Sequence, residues 1–376
     1  MTDFDLVIAG GGPVGLVTAI AARARGLSAV VVEQNLGLPE KACGEGMMPG
    51  AVAVLEALGV ALGDGVEFRG IRFVEGTEAA AGEFPERKGR GLARERLMRA
   101  LAERARAVGV VTLSGHTLRD FRYRDRVLAA ELSCAGGPRT LRARLLVGAD
   151  GLRSGVRRRL GYELPPRRPQ RFGLHRHYPC SPWTDWVEVH WTDQAEAYVT
   201  PLGPREVGVA LLSHGAPAPY EELLSCFPAL QRALAGSEPA GRVRGAGPFE
   251  QRVRAVLAPG VALVGDAAGY LDAVSGEGLA LGFRAAVALV ERFAAGELWR
   301  YPSDHARLCA TPHALTWLML EIARRPGLRR AIIRYLAARP AQFSDLLGIA
   351  CGARVAPRSL LGSTLRRVLP PIERPV

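Results

Sequence analysis

Residues 5–33, DLVIAGGGPVGLVTAIAARARGLSAVVVE, decide how this chain is read. Residues 6–9 are a short apolar run suited to a buried strand, and residues 29–32 are a second, β-branched run that ends in Glu33. Between them Gly10, Gly12 and Gly15 keep the G-x-G-x-x-G spacing. Pro13 sits where a first helical turn tolerates a missing N–H, and Gly26 closes the helix. Each glycine has a physical job. Gly10 allows a tight turn, Gly12 lets backbone approach a pyrophosphate, and Gly15 lets helix and strand pack closely. The helix N-terminus adds partial positive charge, and Glu33 can accept from a ribose 2′-hydroxyl. A bare glycine triplet would serve any turn. The strand context and the terminal acid make it a site for an adenine dinucleotide.

The 376 residues suit about two domains, and a composition 48% hydrophobic and 23% charged is that of a soluble globular protein. The chain starts directly with its first strand, so no signal peptide is expected. Apolar runs such as 264–268 and 285–290 are too short or too interrupted to span a bilayer. Cys43, Cys134, Cys180, Cys226, Cys309 and Cys351 are scattered without a C-x-x-C pair, which suggests neither a disulfide framework nor a zinc site. No metal cluster, Ser/His/Asp triad or P-loop is visible. The net charge of +12 is carried almost wholly by arginine, in clusters at 157–159, 167–168 and 324–330. No aromatic-interleaved basic motif accompanies it, so solvated helix faces are expected and a nucleic-acid partner is not. The milder alternative is attraction of an anionic partner: nicotinamide phosphates, a carrier protein or a membrane face.

Two further motifs turn the dinucleotide reading into a flavin reading. Residues 148–157, GADGLRSGVR, have the form GADGxxSxxR, in which a strand delivers Asp150 to a turn before a helix carrying Ser154 and Arg157. Residues 264–268, VGDAA, form another strand ending in an acid, Asp266. A carboxylate at a strand's C-terminal edge lies in the crevice where an open α/β sheet binds ligands, and there it can hold a polyol such as a ribityl chain. Alone, Asp266 reads equally well as a helix N-cap.

Together these motifs resemble the family of FAD-dependent aromatic hydroxylases, epoxidases and geranylgeranyl-type reductases, from residue 5 to about residue 293. The resemblance implies that Gly10, Gly12, Pro13, Gly15 and Glu33 hold the ADP half of FAD. It places Arg94, which begins an R-x-x-L-x-x-x-L helix with Leu97 and Leu101, close to the cofactor phosphates. It assigns Asp150 and Gly151 to FAD and pyridine-nucleotide contact, and Asp266 to the ribityl chain. Residues 41–49, KACGEGMMP, resemble the reductase branch's K-x-C-G-x-G loop beside the flavin ring, which brings in Lys41. Residues 265–278, GDAAGYLDAVSGEG, resemble its GDAAG…DP…GEG signature, with Ala273 where proline is usual. The turn Gly276, Glu277, Gly278 opens a helix over about residues 279–293, whose free N–H groups are expected to face the flavin edge that becomes negative on reduction. Cys43 is expected to pack near the ring rather than react.

The expected fold is α/β: a Rossmann-like FAD-binding domain with an inserted antiparallel β-sheet substrate domain and a helical C-terminal region. Residues 1–170 and 251–300 form the FAD-binding part, 171–250 the β-rich insertion, and 301–376 the helical region. Within these, 50–58 and 94–108 are predicted helices. The predicted strands are 66–73, 110–113, 127–132, 144–147, 173–178, 186–191, 196–201, 206–212 and 261–264. Residues 75–91 read as a polar excursion, and Pro312, Pro326 and Pro340 as breaks between helical segments. Near the C-terminus Trp317, Leu318, Leu320 and Ile322 give an apolar face that covers the pocket or makes a dimer contact. The basic stretch 324–334 reads as solvated rather than membrane-bound.

Candidate catalytic side chains are Glu45, Glu277, His175 and His190, with His177, Tyr178 and Trp191 as ligand-orienting candidates. Strand histidines are more often satisfied core residues than catalysts. The tryptophans lack the W-x-W-x-I-P pattern of flavin halogenases. Residues 245–250, GAGPFE, lack the third glycine of a second nucleotide turn, so NAD(P)H is expected to bind transiently over the flavin. The resemblance implies a cytoplasmic, single-component monooxygenase of bacterial secondary metabolism. It would use NAD(P)H and O2, through a flavin C4a-hydroperoxide, on a small hydrophobic aromatic or isoprenoid substrate. The alternative is a geranylgeranyl reductase-like enzyme that saturates C=C bonds, and a third reading is a basic flavoprotein scaffold without turnover. A monomer or homodimer without stable membrane insertion is expected.

Overall fold

In the computed structural model, which describes residues 2–38, 41–214 and 217–352, four parallel strands converge on one sheet edge. They are Val261–Leu263, Gly137–Gly148, Phe4–Ala9 and Ala29–Glu33, with Val111–Ser114 continuing the parallel series on the outside. Leu6, Val7 and Ile8 are fully buried and Ala29–Glu33 is buried throughout, as expected for parallel strands covered on both faces. The C-terminal ends of the four strands deliver Asp266, Asp150, Gly10 and Glu33 to the same rim. Helices Pro13–Ala24, Arg94–Ala107 and Gly278–Ala294 cover the sheet, through buried residues such as Leu16, Ile20, Leu97, Leu101, Phe283 and Leu289.

An antiparallel extension joins Gly137–Gly148 to Val127–Cys134 and then to Thr117–Arg124. The last strand was hidden in the sequence because TLRDFRYR is charged and mostly outside the core. The predicted single strand over 66–73 is two strands. Val66–Phe68 pairs with Gly89–Gly91 in a three-stranded sheet, whereas Gly70–Glu75 joins a seven-stranded sheet. Gly70 marks the break, since a Cβ there would stand 2.0 Å from the Gly82 carbonyl oxygen.

The second large sheet runs Ala240–Ala246, Gly173–Tyr178, Glu206–Ser213, Ala195–Gly203, Val187–Trp191, Gly70–Glu75, Glu78–Glu83. All its pairings are antiparallel except the junction of Val187–Trp191 with Gly70–Glu75. Its edge strand Glu78–Glu83 comes from what read as a polar excursion.

Helices Pro326–Ala337 and Pro340–Ala350 lie over this end of the sheet, and Tyr301–Ala323 packs on them and on Gly278–Ala294. Pro326 and Pro340 begin helices, but Pro312 lies buried inside one and does not break it. Phe343 stacks on Phe73 at 4.8 Å, and Phe73 on Trp191 at 4.7 Å. The arginines here are exposed, as expected, but also counter-paired, and Arg329 departs from the expectation by being buried. Arg329 is fully buried, donating to both Glu75 oxygens at 2.7 Å and to Asp193 at 2.8 Å. Arg324 and Arg325 pair with Glu321. Among the described residues no helix is long and apolar enough to cross a membrane. The last 24 positions of the expected helical region, 353–376, lie outside the described residues.

Candidate flavin site

The turn after Phe4–Ala9 is shaped by backbone contact. Gly10 has φ +108°, and a Cβ on Gly15 would stand 1.9 Å from the Gly10 carbonyl oxygen. A Cβ on Gly12 would meet nothing within 4 Å, so space lies open at the start of helix Pro13–Ala24. Glu33 is oriented from three directions. Its Oε2 accepts from the Gly11 N–H at 2.8 Å, and its Oε1 from the Asn35 backbone and side-chain N–H groups at 2.9 and 2.7 Å.

From this turn a cavity of about 1570 Å³ runs to the C-terminal helices. Gly10, Gly12, Pro13, Glu33, Lys41, Arg94, Asp150, Asp266, Gly276 and Gly278 line it, with Glu45, Glu277, His175 and Trp191. Gly15 lies behind the wall, where its contact with Gly10 places it. His190 does not line the cavity; its Nε2 lies 2.9 Å from Glu188 Oε2. His177 and Tyr178 are also outside the lining.

Five buried polar atoms of residues on these walls have no hydrogen-bond partner among the described residues: Arg94 Nε, Asp150 Oδ1, His175 Nε2, Trp191 Nε1 and Glu277 Oε1. Buried polar atoms are nearly always satisfied, so such atoms facing one cavity call for a polar occupant. An arginine for phosphate and carboxylates for hydroxyl or ring N–H donors suit a flavin dinucleotide. Asp150 Oδ2 is already used, accepting from the Gly155 and Val156 N–H groups at 2.7 and 3.1 Å. Asp266 pairs with Lys41 at 2.7 Å. The turn at Gly276, with φ +66°, leads into helix Gly278–Ala294, whose first residues Gly278 and Leu279 line the cavity.

Arg157 binds the two acidic loops to each other. Its fully buried guanidinium donates to the Leu152 carbonyl at 2.6 Å, the Gln251 side chain at 2.6 Å, and the Asp266 and Ala267 carbonyls at 3.3 Å. The sequence motif contained this residue without revealing its partners. In a second network only Asp272 fell within a sequence motif. Arg171 pairs with Asp272 at 3.0 Å and Glu196 at 3.1 Å, and Tyr198, on the cavity wall, donates to Glu196 at 3.0 Å. Burial and the nearby Glu196 hold Asp272 up at about 6 against the pull of Arg171, whereas Arg171 and His214 hold Glu196 at about 2 despite its burial.

Residues 3–298 match the model of the FAD binding domain family. The chain belongs to that family. Its relatives include reductases and hydroxylases. It is 27% identical over 361 residues to a menaquinone reductase of Mycolicibacterium smegmatis, covering 89% of this chain and 86% of that protein. It is 36% identical over 193 residues to the phenazine 1,6-dicarboxylic acid hydroxylase PhzS of Lysobacter antibioticus, covering 46% of this chain and 47% of that protein. In fold it is similar to a flavoprotein/dehydrogenase from Cytophaga hutchinsonii, with a TM-score of 0.81 and 18% identity over 93% of each chain. This family member is an FAD-dependent oxidoreductase.

Burial pushes Glu277 up to about 7, against the pull of Arg284, whose Nη2 lies 3.4 Å from Glu277 Oε2. A carboxyl raised in the fold above its unfolded value near 4.3 binds its proton more tightly when folded, so its ionisation destabilises the native state. That cost is absent in acid, grows between about pH 4.3 and pH 7, and amounts to roughly 3 kcal/mol above it. Glu277→Gln is therefore expected to be more stable than the wild-type protein at pH 8 and to lose that advantage at pH 5. Urea melts of the flavin-free protein at the two values check this, and equal differences at both would contradict it.

Proposed function

We propose that this flavoenzyme is a monooxygenase that uses NAD(P)H and O2 to hydroxylate or epoxidise an apolar aromatic or olefinic substrate. The unlike ends of the cavity support this reading. The charged end carries Arg94, Asp150, Asp266 and Lys41, whereas the far end is walled by Phe73, Val189, Trp191, Met319, Leu336 and Phe343. Bound FAD would supply electron transfer and oxygen activation. The chain's own contribution is placement and exclusion. The apolar wall holds a hydrophobic substrate and keeps out water that would divert reactive oxygen chemistry. The start of helix Gly278–Ala294 offers N–H groups and a positive dipole end to developing negative charge.

A second reading, reduction of an isoprenoid C=C bond, is favoured by Glu277. A buried cavity-wall carboxyl titrating at about 7 can deliver the proton that saturation of a double bond requires. The FAD-loaded enzyme should be given NADPH and a panel of prenylated and polycyclic aromatic compounds, with and without isotopically labelled dioxygen. Label in the product, and no product without oxygen, is expected. Anaerobic turnover to a saturated product would replace the first reading with the second.

A further inference from the structure

Beyond the dinucleotide groove, Glu45 comes to lie against two histidines of strand Gly173–Tyr178. Its Oε2 is 2.6 Å from His177 Nε2 and 3.2 Å from His175 Nε2, and the three ligand-type atoms all lie within 4.8 Å of one another. We propose that Glu45, His175 and His177 form a binding site for a divalent transition-metal ion of the zinc class, a site the sequence gave no reason to expect. Two imidazoles and one carboxylate, with a further position left open, are a donor set that suits zinc and its neighbours.

Four observations support the site. Bonds of about 2.1 Å to a tetrahedral ion set its ligand atoms roughly 3.4 Å apart. The Glu45–His175 spacing is already close to this, and the Glu45–His177 spacing must widen by less than about 1 Å as the ion replaces the hydrogen between them. Next, the ligands are oriented from behind, as metal ligands require. Glu45 Oε1 accepts from the Arg94 backbone N–H at 2.7 Å, and Glu206 Oε1 lies 3.3 Å from His177 Nδ1. Third, His175 is only 3% exposed and its Nε2 has no hydrogen-bond partner among the described residues. Finally, room is kept by Gly208, which sits opposite His177 in the sheet. A Cβ there would be 3.0 Å from His175 Nε2 and 3.3 Å from Glu45 Oε2.

Glu45 itself is held in place against local preference. It has φ +58°, a left-handed backbone rarely adopted by glutamate, and this turns its carboxylate to the histidines. Glu45 and His175 line the large cavity whereas His177 does not, so the ion's open position faces the cavity and would take a water or another oxygen donor. Binding needs the Nε2 atoms of both imidazoles free of hydrogen, with His177 Nδ1 left to face Glu206. The site does not depend on which reaction the flavin performs.

The test is a calorimetric titration of chelator-stripped, FAD-loaded protein, free of any polyhistidine tag, with zinc chloride. It is run at neutral and at mildly acidic pH. One equivalent of zinc is expected to bind, more weakly as the pH is lowered and the imidazoles are protonated. His177→Gln and Gly208→Ala should each weaken binding at least about tenfold, and Glu206→Gln by about tenfold through loss of ligand orientation. The flavin absorbance and circular dichroism of each variant report whether it is folded. X-ray absorption of the zinc complex should show two imidazole nitrogens. No saturable binding to the wild-type protein, or undiminished binding in folded His177→Gln and Gly208→Ala, would overturn the site and leave a hydrogen-bonded charge cluster.

Discussion

Gly15→Ala is expected to purify without flavin. The added Cβ would stand 1.9 Å from the Gly10 carbonyl oxygen, where real carbon atoms do not approach, and a backbone atom cannot swing aside as a side chain would. The turn must open, and with it the alignment of helix Pro13–Ala24 against strand Phe4–Ala9. Overpacking of this kind costs about 1–3 kcal/mol in stability. The loss of a preorganised turn should weaken FAD binding by about 100-fold or more, equivalent to roughly 2.8 kcal/mol. Gly12→Ala is the informative companion. Its Cβ meets nothing within 4 Å, so the protein should melt like the wild type, yet it projects into the space assigned to the pyrophosphate and should bind flavin poorly. Flavin absorbance after gel filtration and thermal melting separate the two outcomes. A yellow Gly15→Ala with unchanged melting temperature would refute the tight-turn account.

Arg157→Ala is expected to be the most destabilising single truncation in the acidic loops. The guanidinium has five oxygen acceptors, on Leu152, Glu163, Gln251, Asp266 and Ala267, and the residue is 0% exposed. Truncation leaves several carbonyl oxygens buried without donors and opens a void beneath the loops that carry Asp150 and Asp266. Removing one partner from a buried charged network costs about 3–5 kcal/mol, which lowers the melting temperature by roughly 5 °C in a chain this large. Lysine should not rescue it, because a single ammonium cannot reach a planar fan of acceptors. Chemical denaturation of the alanine and lysine variants measures both effects. Full recovery in Arg157→Lys would reduce the role of Arg157 to charge alone.

What the sequence disclosed depended on how far apart the cooperating residues lie. The first strand–turn–helix–strand unit is contiguous, and the glycine spacing is a direct image of the backbone contact between Gly10 and Gly15. Asp150 and Asp266 were legible because each ends a short apolar run, and parallel strands carry their functional residues at one end. Arg94 stood out only through family resemblance, since a helix-initial arginine is otherwise unremarkable. The Glu45–His175–His177 cluster was not legible as a unit, because its members are separated by up to 132 positions and meet only when a loop folds over a sheet. The Arg171–Glu196–Asp272 network is the same case. Charge also misled. Residues 78–83 read as part of a polar excursion and 117–124 gave no strand signal, yet both are edge strands, because backbone pairing at an edge does not require an apolar sequence. Arg329 read as part of a solvated stretch because the acids that neutralise it, Glu75 and Asp193, are remote in sequence.

The composite origin of the seven-stranded sheet limits how this enzyme can be re-engineered. The two strands at one end come from residues 70–83, and the helices of residues 326–350 rest on those strands through Phe343 and Arg329. A chimera that transplants residues 171–250 alone would leave the recipient's hairpin facing a foreign roof. The roofed sheet is assembled from three separated gene segments, and crossovers that respect all three are the ones that should yield folded hybrids.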